Sequence, residues 1–132
     1  MVEMALVLPV FVLIALGIIE FGRAMMVSQI VTNAAREGVR LAVVTGSTNS
    51  DVEQAVTEIL QAALNINPAD ADVTITVTPA PGNPSPGNQV DSASPRDLVS
   101  VSVQVPFNKV NYITSNYLEG KMLKGFCAMR HE

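Results

Sequence analysis

The side chains in this sequence that could catalyse or ligate are few and far apart. There is one cysteine, Cys127, and one histidine, His131. A single cysteine forms no intrachain disulfide, and one of each leaves neither a Cys/His set at zinc spacing nor a nucleophile–base pair. Asp70 and Asp72 stand close enough to share a cation, but two carboxylates fall well short of the about six to eight oxygens that calcium takes. No phosphate loop, dinucleotide fingerprint or nucleophile elbow occurs. Tyr112, Tyr117, Phe107 and Phe126 are too scattered to stack bases. A net charge of −4 without a basic cluster gives no electrostatic footprint for nucleic acid. The chain therefore reads as a non-enzyme without cofactor, metal or nucleic-acid partner. Cys127 reads as a small hydrophobe on an apolar strand face, and His131 as a solvated residue close to the C-terminus.

The charges with more to say are those that interrupt apolar surroundings. Met4 to Ile19 is an uncharged run of sixteen residues bracketed by Glu3 and Glu20. A carboxylate at the edge of such a run is costly in hydrocarbon. Glu3 has two readings. It pairs with a cation, such as a neighbouring subunit's N-terminal amine, or it sits in headgroup water at a favourable helix N-terminus. Glu20 and Arg23, three residues apart, are placed to pair on one helix face.

These charges need a helix to hold them. The run from Met4 is slightly shorter than the ~20 apolar residues of a spanning helix, but Phe21, Gly22 and Ala24 to Val27 extend it. No basic segment precedes it and no small-x-small site closes it, so it does not read as a cleavable signal. That fits a leader already removed, or a numbering that starts inside the gene product. Beyond Glu20, Phe21, Ala24, Met25, Val27, Ile30, Val31, Ala34, Ala35, Leu41 and Ala42 recur at three- and four-residue steps, which makes an amphipathic continuation of the same helix. Pro9 predicts a kink between Ala5 and Pro9. Gly17 and Gly22 either permit close helix–helix approach or are simply tolerated.

The remainder reads as a small α+β head. Ser50 and Glu53 have the spacing of a capping box, followed by a helical stripe from Val52 to Leu64. Asp72 to Thr78 and Leu98 to Val105 alternate as half-buried strands, and Lys121 to Arg130 is a third, with Leu123, Cys127 and Met129 on one face. Val110 to Leu118 reads as a short helix or an irregular turn. The Pro/Gly-rich stretch from Pro79 to Pro95 excludes regular structure. It is either an outward-facing loop, with Ser85, Ser92 and Ser94 open to glycosylation, or a solvated hairpin connection. The predicted organisation is thus a long N-terminal helix over 1–45, with 3–27 as its membrane or filament-core part. An α+β head follows over 46–132, with a second helix, an antiparallel sheet of about three strands and a loop at 79–97.

Three segments together resemble a known family. Val2-Glu-Met-Ala-Leu-Val-Leu-Pro9, Gly17-Ile-Ile-Glu-Phe-Gly-Arg-Ala24 and Thr32-Asn-Ala-Ala-Arg-Glu-Gly-Val-Arg40 are similar to the N-terminal signature of TadE-like proteins. These are pilin-like proteins of the bacterial tight-adherence (Tad) systems, which are related to type IV pili. The ending Ala128-Met-Arg-His-Glu132 resembles that family's finish. The resemblance implies processing by a prepilin peptidase, a single-helix intermediate in the inner membrane, and export by pilus assembly machinery to the cell surface. Members of that family are usually regarded as minor pilins, so the resemblance alone does not establish a filament builder, and it makes Glu3 the counterpart of the carboxylate near the mature N-terminus of type IV pilins. Only Met1 and Val2 precede Glu3, fewer residues than precede that carboxylate.

Three functions compete on these grounds. The first is a pilin-like subunit of an extracellular filament, joined to copies of itself or to other pilins through its N-terminal helix. The second is a membrane-held pseudopilin that primes or tips a pilus of other subunits. The third is a bitopic anchor whose head binds a ligand. The expected subunit contacts are Glu3, Pro9, Phe11, Ile14, Gly17, Ile18, Glu20, Phe21 and Arg23.

Overall fold

A computed structural model describes residues 1–110, 118 and 120–132. The order is a long helix α1 (Val2–Ala42), a second helix α2 (Asn49–Leu64), then three strands, β1 (Asp72–Thr78), β2 (Leu98–Pro106) and β3 (Met122–Arg130). Short 3-10 turns at Pro68–Asp70 and Phe107–Lys109 join them. This is the α+β architecture read from the sequence, with strand bounds within a residue of those expected. Tyr112, Tyr117 and the expected short helix or turn between Val110 and Leu118 lie largely outside the described residues.

The sheet is antiparallel in the order β1-β2-β3. Its register lines up Val73, Val103 and Gly125 in one row and Ile75, Val101 and Cys127 in the next. Because side chains alternate along a strand, these rows all face one side. That side carries the buried residues Ile75, Val77, Val99, Val101, Val103 and Val105, and the two helices cover it. α1 lies over β3 and β2, and α2 lies alongside α1. Val52, Val56, Leu60 and Leu64, at steps of four, are the buried stripe of α2. The other side of the sheet presents Thr74, Thr76, Ser100 and Lys124.

Two glycines set how closely these layers approach. A Cβ on Gly125 would lie 2.6 Å from the carbonyl carbon and oxygen of Val31, so β3 rests directly on the α1 backbone. A Cβ on Gly38 would lie 2.6 Å from a Val56 methyl, at the contact between the helices. The expected candidates, Gly17 and Gly22, have nothing within 4 Å.

Two local expectations are corrected. The capping box of α2 is Thr48 with Asp51, not Ser50 with Glu53. The Asp51 amide donates to Thr48 Oγ1, and the Thr48 amide donates to Asp51 Oδ2 at 2.9 Å. Aspartate reaches back here as glutamate would, and the Thr48 amide first, then the Thr48 hydroxyl donating to Oδ2 at 2.8 Å, hold its carboxyl below its usual pKa. Asp70 faces Lys109, 3.7 Å away. His131 is buried rather than solvated: its amide donates to the Asp97 carbonyl and its own carbonyl accepts from the Arg96 amide. Cys127 is half-buried against the core, while Met129, expected beside it, is 44% exposed.

The 79–97 loop has no regular structure, yet it is tied down throughout. The Asp97 carboxylate is fully covered. It accepts from the Ala80 amide (2.9 Å), the Asn83 side chain (2.6 Å) and the Ser94 amide (2.9 Å). The Ala80 amide is the chief reason that its carboxyl lies below the usual range, with the Asn83 side chain next; burial opposes them, and the Ser94 amide and His131 add to the lowering. Asn88 Oδ1 accepts from the Val77 amide on the outer edge of β1, which removes one free donor from an edge strand. Asn49, at the start of α2, accepts from the Val90 amide and donates to the Asn88 carbonyl. Val90 itself is buried.

Candidate functional site

The candidate site is the part of α1 that the head does not use. From Ala24 onward the helix buries Ala24, Val27, Val31, Ala34, Ala35, Val39 and Ala42 at three- and four-residue steps. Before Glu20 no residue is buried, although this stretch is the more apolar of the two. The eighteen residues from Val2 to Ile19 extend about 27 Å at 1.5 Å per residue, close to the ~30 Å hydrocarbon thickness of a bilayer. α1 is long and apolar enough to cross one.

Each expected contact residue can be placed. Glu3 is exposed in the first turn, where its charge suits the helix dipole. Pro9 lies inside α1 without ending it. It leaves the Ala5 carbonyl without its usual amide donor. Phe11 and Ile18 are 68% exposed, and Ile14 and Phe21 are 58% and 56% exposed. Together with Met4, Val7 and Met25 they form a single line at alternating steps of three and four, and every member is exposed. Gly17 is half-buried with open space above its Cα. The line passes Glu20 on the side of the helix away from the head, so the outward face stays apolar as far as Met25 and Met26.

Glu20 and Arg23 do not form the expected helical pair. Arg23 Nε donates to the Val110 carbonyl at 2.7 Å. Glu20 is only 3% exposed, and among the described residues neither carboxylate oxygen has a hydrogen-bond partner. A buried carboxylate without a donor is costly. It stands at the level where the exposed helix meets the head. Among the described residues no three His, Cys, Asp or Glu side chains converge.

The decisive feature is thus a signature-bearing helix whose first half, as far as Ile19, buries no residue against the described part of the chain. Residues 1–40 match the family model of TadE-like protein. The TadE-like match covers the whole exposed half of α1 and most of the half packed in the head. Together with the free apolar helix it fits a pilin-like protein of the Tad systems. No curated protein and no solved structure matches the chain.

Sequence reasoning found the TadE-like helix and missed two residues that shape it. Gly125 carried a usable signal, a glycine inside an alternating strand, which often marks close backbone approach. Glu20 was recognised as a charge but assigned to a local pair. Its burial depends on the head and is not visible in the spacing.

Proposed function

We propose that this chain is a pilin-like structural subunit of an extracellular filament. It is held in the inner membrane by residues 3–27, processed by a prepilin peptidase, and then packed by pilus assembly machinery against copies of itself or other pilins. The observation that carries this reading is the exposed half of α1. Eleven large apolar side chains between Met4 and Ile19 are exposed, without cover among the described residues. Burying them is worth roughly 15–30 kcal/mol against water, as an upper bound. Lipid and a bundle of neighbouring helices are the two environments that supply such cover. Exchange between them returns only a small part of that energy, so extraction requires an energy-using machine.

In the filament the line Met4, Val7, Phe11, Ile14, Ile18, Phe21 and Met25 is the packing seam, because alternating three- and four-residue steps keep one face against a neighbouring helix. Gly17 and Pro9 lie within the same packed segment. Glu3 and Glu20 are its polar ends, and Glu20 has no donor among the described residues, so a neighbouring subunit supplies one; Arg23 fixes the helix to the head just below.

The test is to shear surface fibres from cells, image them by negative stain and identify their subunits by mass spectrometry. The chain is expected as an abundant fibre component, and its retention in the membrane fraction would favour the pseudopilin or anchor instead. Glu3→Ala is expected to cut fibre yield while the head melts at an unchanged temperature; normal yield would remove Glu3 from the assembly contacts.

A further inference from the structure

The pole of the head opposite the exposed helix carries a cleft that assembly through α1 does not use. Arg23, where α1 enters the head, reaches the Val110 carbonyl just past one end of β2. Thr78, Leu98 and Arg130 are matched across the three strands at the other end. The nine residues of β2 separate these ends by about 30 Å. At the far end lies a cleft of about 180 Å³ lined by Pro79, Pro81 and Leu98 together with Thr78, Arg96 and Arg130.

Two independent features fit this cleft to an anion. First, among the described residues neither the Arg96 nor the Arg130 guanidinium has a hydrogen bond or ion pair, in a chain with 12 acidic and 8 basic side chains. The carboxylate adjacent in sequence, Asp97, is turned inward and occupied by Ala80, Asn83 and Ser94. Second, Arg96 is held at φ +78°, in the left-handed region that non-glycine residues enter at a cost. The backbone is clamped there: the Arg96 amide donates to the His131 carbonyl at 2.8 Å, and the His131 amide donates to the Asp97 carbonyl at 2.8 Å. A glycine would take that conformation without strain, yet an exposed arginine occupies it.

We propose that this cleft binds an oxyanion, a phosphate or carboxylate group, between Arg96 and Arg130, with the uncharged body of the ligand resting on Pro79, Pro81 and Leu98. The planar guanidinium fork matches either oxyanion in a two-bond geometry, and the Thr78 hydroxyl supplies a further donor. The site lies far from the seam on α1, so it stays open whether that helix is covered by lipid or by other subunits.

The full chain, ¹⁵N-labelled in maltoside micelles that carry no phosphate, is titrated with inorganic phosphate and separately with glucuronate. Saturable amide shifts at Thr78, Ala80, Arg96 and Leu98 are expected in at least one series. Response to phosphate alone identifies a phosphate-bearing ligand, and response to glucuronate alone an acidic sugar. Arg130→Gln is expected to weaken binding roughly tenfold. Arg96→Gly is expected to weaken it as much while the melting temperature holds or rises, since glycine releases the strain. Lys124→Gln removes the same charge from the outer side of β3 and is expected to change affinity by less than about a factor of two. Absence of saturable shifts in both series, unaltered binding when Arg96→Gly and Arg130→Gln are combined, or an equal loss in Lys124→Gln would overturn the proposal.

Discussion

α1 is one helix with two energetic histories. Residues 24–42 bury small apolar side chains, mostly alanine and valine, against a sheet and a second helix of the same chain. Residues 2–19 are richer in leucine, isoleucine and phenylalanine and bury none of them. Hydrophobicity therefore does not decide which half enters the core. What decides it is side-chain size and the presence of a matching surface. Alanine and valine let the sheet approach until Gly125 meets the helix backbone, whereas the bulky exposed half has no counterpart among the described residues. The glycines divide in the same way: Gly38 and Gly125 are required by contacts already made, while Gly17 and Gly22 face open space.

Substitutions at paired positions can break this contrast. The largest expected effect is Gly125→Ala. Its Cβ would collide with main-chain atoms of Val31 and Thr32, so the head should lose about 3 kcal/mol or more. Gly17→Ala should leave the head unchanged, and a helix-interior alanine favours α1 by up to ~1 kcal/mol. Chemical denaturation followed by near-ultraviolet circular dichroism measures both, and equal losses would contradict the division. Next comes Val31→Ala, which empties a fully buried position and should cost about 2 kcal/mol. Ile14→Ala, on the exposed line, should leave head unfolding untouched and reduce the yield of sheared fibres.

Much of this division was legible in the sequence. The change from an all-apolar run to a striped one at Glu20 predicts where the head begins to use α1, because burial of one face imposes a 3.6-residue period. The three strands follow from their two-residue alternation. The loop was not legible in the same way. Its prolines exclude regular structure, but the bonds that order it join residues distant in sequence, such as Asn49 and Val90. An aspartate such as Asp97 has no local mark of burial. The cap of α2 was misplaced for a simpler reason: Ser50 and Glu53 satisfy the same four-residue pattern as Thr48 and Asp51. The Arg96 and Arg130 cleft was equally hidden, since 34 positions separate its two cations.

Smaller effects sharpen the picture of the head. Thr48→Ala should cost about 1 kcal/mol through loss of the cap, measured by the shift of the thermal midpoint. Asp97 makes the head acid-sensitive in a defined direction. Its folded-state carboxyl lies below the ordinary 3.8, so the ionised form stabilises the head at every pH above that value. The contribution begins to fall as pH drops through the ordinary value and is gone below the lowered one. Thermal melts on acidification should show this decline for the natural chain, and Asp97→Asn should weaken the head near neutrality and flatten that part of the acid limb. Under the proposed function, retention in membranes would rest on the uncharged run and should not follow the same curve.

The seating of β3 on the α1 backbone also has a mechanical consequence. A pull on the exposed end of the helix reaches the sheet through main-chain atoms at Gly125 rather than through side chains that can swing aside. The head then resists tension as a stiff socket around a rod, with little give at low load. Once that seat is displaced, the rows of valine beneath it lose their cover together, so yielding is abrupt rather than gradual.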